Sequence, residues 1–215
     1  MSIHLIHRGL AKKNFKENTI KSFKYSFKKK YGIETDLHAT KDKQIVCFHD
    51  FTLKRKFKLN KKIKDINYSD LKKLSKKKKA EIPLLKDLLK ISKNKHSLLF
   101  EIKPLFKRKN LLHLIKLTKR TKKYGLISFK EKNLINLYKI NKKLPLGLLF
   151  LASASIKKIK IESKKKYVKF LVLEKKFLSN KNLNLVKKRI YYYTIKNKSL
   201  FKKYRYSKNL IFENL

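Results

Sequence analysis

Three carboxylates and two histidines occupy matching places, at the ends of short apolar runs. Glu34 and Asp36 end one run, Glu101 lies in another, and His7 and His49 end two more. The chain keeps these carboxylates although it has only 14 acidic residues against 61 lysines and arginines. Carboxylate oxygens are the ligands that hard divalent cations prefer, and two imidazoles beside them supply an acid and a base. The pattern therefore predicts a divalent-metal site with an acid/base pair.

Short apolar runs alternate with longer amphipathic, lysine-rich stretches, which is typical of strand–helix repeats. The predicted strands are residues 3–7, 32–37, 97–103, 125–128, 146–151, 168–173, 189–195 and 209–212, with a short extra strand at 44–49 paired with the second. The predicted helices are residues 19–31, 83–91, 111–123, 131–140, 179–188 and 199–206, the first capped by Asn18.

Near-continuous apolar strands separated by helices indicate a parallel sheet, and eight of them in 215 residues predict a closed (β/α)8 TIM barrel. We expect one domain over residues 1–215, with the short extra strand and a basic, loop-rich excursion after strand two at residues 51–80. Active sites of such barrels lie at the carboxyl ends of the strands, so the carboxylates and histidines should converge there. Glu34 and Asp36, two residues apart, would both face the lumen. Spacing alone also allows an outward orientation in which they pair with lysines.

The net charge of +47 allows two interpretations. It indicates either an anionic partner, such as nucleic acid or an anionic membrane, or codon drift in an AT-rich genome. Drift is favoured because the lysines are spread along the whole chain. We therefore expect no specific nucleic-acid partner, while peripheral contact with an anionic membrane stays open.

The remaining features predict a soluble, cytoplasmic protein. The first predicted strand begins at residue 3, so we expect no signal peptide, and no apolar run approaches the roughly 20 residues of a membrane span. Cys47 is the single cysteine, which excludes an intramolecular disulfide. The oligomeric state is not predicted by any pattern in the chain.

The chain resembles the glycerophosphodiester phosphodiesterase family in many short blocks that recur in the family's order. The blocks are His7-Arg8-Gly9, Glu17-Asn18-Thr19, Gly32-Ile33-Glu34-Thr35-Asp36, Val46-Cys47-Phe48-His49-Asp50, Ile82-Pro83-Leu84-Leu85, Phe100-Glu101-Ile102-Lys103 and Ser128-Phe129. The chain departs from the family in the last strands, where Tyr193 stands in place of a tryptophan. Phe212-Glu213-Asn214-Leu215 likewise replaces a threonine-aspartate-x-proline ending.

The resemblance implies a role for each of the residues in these blocks that carries chemistry. The roles are acid/base catalysis for His7 and His49, Mg²⁺ or Ca²⁺ binding for Glu34, Asp36 and Glu101, phosphate contact for Arg8 and Lys103, and support of the first loop by Glu17, paired with Arg8.

The activity that the resemblance implies is metal-dependent hydrolysis of small glycerophosphodiesters to glycerol 3-phosphate and an alcohol. One alternative is a lysophospholipase D-like activity at anionic membranes. Another is a non-catalytic basic protein that binds nucleic acid or lipid, which has no need of paired carboxylates and histidines.

If the lysines are scattered by drift, binding to nucleic acid should be weak, independent of sequence and steeply dependent on salt. Filter binding at two salt concentrations measures this. Substituting glutamine for the four lysines at residues 76–79 should leave turnover of a small diester unchanged. Tight, saturable binding to one polyanion that these substitutions abolish would contradict the drift interpretation.

Overall fold

Eight parallel strands close into a barrel covered by helices in the computed structural model, which describes residues 2–215. The strands are β1 (His4–His7), β2 (Gly32–Ala39), β3 (Ile45–Cys47), β4 (Leu98–Ile102), β5 (Tyr124–Ser128), β6 (Leu146–Phe150), β7 (Phe170–Glu174), β8 (Arg189–Ile195) and β9 (Asn209–Phe212). The helices are α1 (Ile20–Lys28), α2 (Lys54–Phe57), α3 (Tyr68–Lys77), α4 (Leu85–Ser92), α5 (Arg108–Thr118), α6 (Glu131–Ile140), α7 (Ile156–Ser163) and α8 (Lys198–Tyr204).

The strand order shows that the sheet is closed. β1 pairs in parallel with both β2 and β9, and the pairings continue from β9 through β8, β7, β6, β5 and β4 to β2. β3 lies outside this ring and is antiparallel to β2. The (β/α)8 TIM barrel and its short extra strand are therefore confirmed. Across residues 2–215, no helix is long and apolar enough to cross a membrane.

Side chains that alternate along the strands fill the lumen with an apolar layer. The layer contains Leu5, Leu99, Ile127, Leu149, Phe170, Val172, Tyr191 and Ile211. Two residues after three members of this layer, the side chain is polar. His7 follows Leu5, Glu101 follows Leu99, and Glu213 follows Ile211. The lumen thus changes from an apolar layer to a polar layer toward the carboxyl ends of the strands.

Two of the predicted helices differ from the structure, and one helix outside residues 51–80 was not predicted. Helix α1 is capped by Thr19, whose side chain accepts a hydrogen bond from the Ser22 amide, so the prediction of Asn18 as the cap was wrong. Residues 179–188 do not form an α-helix, since Lys181–Leu185 is a 3-10 helix. Helix α7 was missed, although Ser155 caps it and Ile159 is its buried anchor.

The segment 51–80 is more ordered than the loop-rich excursion that we predicted. It contains α2, a 3-10 helix at Ile63–Asp65, and α3. Its buried apolar side chains form one cluster with residues that flank it in the sequence: Leu53, Phe57, Ile63, Ile66 and Leu71 from the segment, and Val46, Phe48, Ile82 and Leu84 from outside it. We did not predict these helices because lysines are so frequent in the segment that the helical spacing of its apolar residues is hard to recognise. The lysine side chains themselves lie in solvent.

Leu71→Ala tests whether this segment folds on the barrel. Leu71 is fully buried in the cluster, so its truncation should cost about 2–5 kcal/mol of unfolding free energy. Chemical denaturation measures the loss. Lys73→Ala, an exposed position on the same helix, is the control and should change stability by less than about 0.5 kcal/mol. Equal stability of the two variants would mean that the segment contributes no folded core.

Candidate active site

Three buried carboxylates lie together in the polar layer of the lumen. Ligand oxygens of Glu34, Asp36 and Glu101 lie within 4.8 Å of one another. The strand register causes this proximity, because Asp36 pairs with Glu101 across β2 and β4, and Glu34 lies on the same face of β2 two residues earlier. Since all three side chains face the lumen, the outward orientation is excluded.

Burial and mutual repulsion make these carboxylates hard to ionise. Burial, followed by the charges of Asp36 and Glu101, raises the pKa of Glu34 well above its usual range. Burial and Asp36 raise the pKa of Glu101 to about 7. Glu34 Oε2 is also buried without a hydrogen-bond partner among residues 2–215. Protons or a cation must therefore compensate the cluster near neutral pH.

Arg8 and Lys103 bring positive charge to the same carboxylates. Lys103 Nζ lies 3.0 Å from Glu101 Oε1 and 3.7 Å from Asp36 Oδ1, and Arg8 Nε lies 3.3 Å from Asp36 Oδ2. Burial alone would lower the pKa of Lys103, but Glu101 and Asp36 raise it overall. Both predicted phosphate contacts thus stand at the edge of the cluster, fully charged.

His7 is oriented by a carboxylate from the end of the chain. Its Nδ1–H donates a hydrogen bond to Glu213 Oε2, and its Nε2 lies 3.8 Å from Glu34 Oε2. Lys196 Nζ lies 2.9 Å from the other oxygen of Glu213. Despite burial, the hydrogen bonds from His7 and Lys196 lower the pKa of Glu213 to about 2. Glu213 therefore stays ionised and fixes His7 with Nε2 toward the carboxylate cluster.

His49 is oriented in the same way by its neighbour in sequence. His49 Nδ1–H donates to Asp50 Oδ1 at 2.8 Å, and Arg55 on α2 donates to both oxygens of Asp50, at 2.6 and 3.0 Å. Burial lowers the pKa of His49, so its imidazole is neutral near neutral pH and can accept a proton. The excursion thus contributes Arg55, which holds the Asp50 carboxylate that orients His49.

Glu17 joins the first loop to the excursion. Arg8 Nη1 donates to Glu17 Oε2 at 2.9 Å, the pair expected from the sequence, and Arg55 donates to Glu17 Oε1. Lys56 Nζ lies 3.3 Å from the same carboxylate. Against the effect of burial, these cations lower the pKa of Glu17 to about 2.

The backbone of the first loop needs glycine at one position. Gly9 has φ +70°, and a Cβ there would lie 2.5 Å from Ser22 Oγ and 2.9 Å from the Phe23 ring. Arg8 also has positive φ, at 51°. The tight turn lets β1 end in His7 while Arg8 turns toward Asp36.

Asn18 holds Asp36 rather than capping a helix. Its side-chain amide donates to Asp36 Oδ2 at 3.2 Å, and its carbonyl accepts from Thr35 Oγ1 at 2.7 Å. Asn18 is fully buried at φ 54°, a conformation that asparagine tolerates better than most residues. It therefore orients one carboxylate of the cluster.

The structure brings all eight predicted site residues to one end of the barrel, and their chemical roles remain predictions. Sequence reasoning missed Glu213, Arg55 and the role of Asn18. The alternation of side chains offers a signal for Glu213, since it follows the lumenal Ile211 by two residues. No local pattern identifies Arg55, because its partners lie in other segments.

A TIM barrel with carboxylates and two oriented imidazoles at its strand ends is the layout of an enzyme that uses acid/base chemistry. The profile of the glycerophosphoryl diester phosphodiesterase family matches residues 7–205. The chain belongs to this family.

Solved structures share the fold across the whole chain. A glycerophosphodiester phosphodiesterase of Thermotoga maritima superposes with a TM-score of 0.83 at 23% identity, covering 100% of this chain and 95% of the other. A phosphodiesterase of Oleispira antarctica, solved with the product sn-glycerol-3-phosphate, superposes with a TM-score of 0.81 at 19% identity, covering 100% and 93%.

Among curated proteins, lysophospholipase D GDPD1 of Homo sapiens is 42% identical over 72 residues, which are 33% of this chain and 23% of the human protein. The Rattus norvegicus protein of the same name is 39% identical over the same shares. The chain therefore matches less than a quarter of the length of these relatives.

The raised pKa of Glu101 predicts that the ion-free protein loses stability as pH rises. Unfolded Glu101 ionises near its usual value of 4.5 and the folded side chain near 7, so the contribution of Glu101 makes unfolding more favourable between these values and is constant above them. Melting temperatures in chelator should therefore fall across this window. In Glu101→Gln the fall should be smaller, and the part that remains comes from Glu34, whose pKa is also raised.

Glu162→Gln, which removes a carboxylate on α7 outside the lumen, is the matched control and should follow the unmodified protein. A melting temperature that is flat or rises across the window in chelator would contradict this account of the cluster.

Proposed function

We propose that the protein is a divalent-metal-dependent phosphodiesterase that hydrolyses glycerophosphodiesters to glycerol 3-phosphate and an alcohol. The observation that carries the proposal is the orientation of His7 and His49 at the edge of the carboxylate cluster. The Nδ1–H of His7 is held by Glu213, and that of His49 by Asp50. Family membership and the product named for the Oleispira antarctica structure support the substrate class. We further propose that residues 1–215 act as one domain and that the protein works in the cytoplasm.

The carboxylate cluster fits a Mg²⁺ or Ca²⁺ ion. Glu34, Asp36 and Glu101 offer oxygen ligands within 4.8 Å of one another. Glu34 Oε2 has no hydrogen-bond partner among residues 2–215 and is therefore available to an ion. When bound, such an ion supplies positive charge to the phosphate and polarises a substrate oxygen. Ion binding also relieves the repulsion that raises the pKa of Glu101.

The remaining chemistry belongs to the chain's own side chains. One histidine accepts a proton from the attacking hydroxyl at Nε2, and the other donates a proton to the leaving alkoxide. Glu213 and Asp50 hold the two rings in the tautomer that this requires. Arg8 and Lys103 stabilise the phosphate oxygens as negative charge develops on them.

Two routes satisfy this arrangement of groups. Water can attack the phosphorus directly, or the neighbouring glycerol hydroxyl can attack first and give a cyclic phosphate that water then opens. Both use the same two histidines. Trapping a cyclic phosphate during turnover distinguishes them.

A lysophospholipase D activity is the second candidate. It retains the same site and chemistry but acts on a diester that carries an acyl chain. The observation in its favour is the 42% identity over 72 residues to a human protein of that name. Assaying glycerophosphocholine against lysophosphatidylcholine separates the two substrate classes.

His7→Ala and His49→Ala should each lower turnover by roughly 10²–10⁴-fold while the fold is retained. Release of glycerol 3-phosphate from glycerophosphocholine measures this, with and without chelator. The double variant should lose less than the product of the single losses, because both side chains serve one proton-transfer scheme. His4→Ala is the control, since His4 packs edge-on against Phe201 at 5.3 Å on the outside of β1. Near-normal turnover in either single variant would remove that histidine from the mechanism.

Glu213→Gln should lower turnover less than His7→Ala does, because glutamine can keep the orientation of His7 but not the charge that favours its imidazolium. Release of glycerol 3-phosphate from glycerophosphocholine measures the loss. Turnover of Glu213→Gln equal to that of the unmodified protein would show that Glu213 only closes the barrel.

A further inference from the structure

Four large apolar side chains are exposed on the face of the barrel that carries the candidate site. Phe51, Leu105, Phe129 and Leu151 are 53%, 49%, 43% and 56% exposed. Leu105, Phe129 and Leu151 follow the ends of β4, β5 and β6 within three residues, and these strands are neighbours in the barrel. The Phe51 ring lies edge-on to His38 of β2, the strand beside β4, at 5.8 Å. We call this row of four side chains the apolar arc.

The apolar arc is continuous with the site. The Phe129 ring lies 6.5 Å from the ring of Tyr193, and Tyr193 packs against the apolar layer of the lumen beneath the carboxylate cluster. The Tyr193 hydroxyl donates to the backbone oxygen of Phe150 at 3.1 Å, directly before Leu151. An apolar surface therefore runs from the carboxylate cluster to the outer edge of the barrel mouth.

Four of the other exposed apolar side chains do not share this face, and Leu59, which is 39% exposed, lies in the excursion just after α2. Leu112 and Ile161 lie on the outer faces of α5 and α7. Leu185 and Tyr206 lie in the segments that lead into β8 and β9, at the opposite end of the barrel. Single exposed apolar residues of this kind are ordinary, whereas four around one mouth point to a partner.

Exposed cations accompany each part of the apolar arc. Lys54, Lys107, Lys130 and Lys157 follow the four apolar side chains within six residues, and all four are exposed. Glu131 is the one carboxylate in segments 51–58, 105–109, 129–132 and 151–158, and it is already paired with Lys165 at 2.6 Å. The face therefore combines apolar side chains with lysines that few carboxylates neutralise.

We propose that the apolar arc docks the mouth of the barrel onto an anionic phospholipid surface. Lysines beside the arc attract the negative headgroups, and Leu105, Phe129 and Leu151 enter the headgroup–acyl boundary. A nucleic acid would also attract the lysines but has no apolar layer to receive the two leucines. Docking in this orientation turns the carboxylate cluster toward the lipid. Binding to the surface does not depend on the proposed hydrolysis.

Vesicle co-sedimentation at constant salt tests the surface. Vesicles of phosphatidylcholine with phosphatidylglycerol are compared with vesicles of phosphatidylcholine alone. The double variant Leu105→Ser/Leu151→Ser should lose about tenfold or more in partitioning onto the anionic vesicles, because two apolar contacts with the lipid are removed. The matched control Ile161→Ser/Leu185→Ser removes side chains that are 55% and 76% exposed and should partition within about twofold of the unmodified protein. Both variants keep the charge of the chain and should keep turnover of a soluble diester.

Equal partitioning of the two double variants, at any level, overturns the proposal, since lysines alone would then account for the binding. Melting temperatures measure whether both double variants are folded. If Leu105→Ser/Leu151→Ser does not fold, Leu105→Ala/Leu151→Ala replaces it. The proposal is also overturned if the unmodified protein partitions equally onto both kinds of vesicle, because the headgroup charge would then not contribute to binding.

Tryptophan reporters test the orientation of docking directly, because the chain contains no tryptophan of its own. Leu151→Trp should shift its emission to shorter wavelength on anionic vesicles and be quenched by brominated acyl chains, as expected for a side chain in the headgroup–acyl boundary. Leu185→Trp, at the opposite end of the barrel, should show neither change. Quenching of both reporters, or of Leu185→Trp alone, would show that the mouth of the barrel does not face the lipid.

Discussion

Repulsion among three buried carboxylates is the interaction on which the rest of the site depends. The register of β2 and β4 places Asp36 beside Glu101, and the strand period places Glu34 on the same face, so the fold itself sets their separation. Water cannot screen them well because the lumen beneath is apolar. Arg8 and Lys103 compensate part of the charge, but burial and the remaining repulsion still raise the pKa values of Glu34 and Glu101. In the function that we propose, a divalent cation would supply the compensation that the two side-chain cations do not.

Partners from distant parts of the chain hold His7 and His49, the proposed acid and base, beside this cluster. Glu213, after the last strand, fixes His7 on the first strand. Arg55, from the excursion, fixes the Asp50 carboxylate that orients His49. Barrel closure and the folding of the excursion are thus coupled to the geometry of the two imidazoles. A substitution that loosens barrel closure or the packing of the excursion should therefore reduce turnover, although it changes neither histidine.

The strands, and the convergence of the carboxylates and histidines at the strand ends, were predictable because their signals are local. Continuous apolar runs mark parallel strands, and a carboxylate such as Glu101 at the end of such a run is conspicuous in a chain with 14 acidic residues. Arg55 was not predictable, since its importance comes from contacts with Glu17 and Asp50 that only the folded chain creates. Asn18 was assigned to the wrong function because asparagine is also a good helix cap, and the tertiary contact with Asp36 decided between the two. Helix α3 was not predicted because its many lysines leave only one buried apolar residue, Leu71, as a signal in the sequence.

Calorimetric titration with Mg²⁺ and Ca²⁺ in buffers of different ionisation enthalpy tests the central account most directly, because it counts the protons that leave when an ion binds. If burial and repulsion keep protons on the carboxylate cluster, ion binding near pH 6–7 must release them, consistent with the pKa of about 7 for Glu101. We predict proton release by the unmodified protein, and weaker binding with less release by Glu101→Gln. Tight ion binding without proton release, unchanged in Glu34→Gln and Glu101→Gln, would contradict the account.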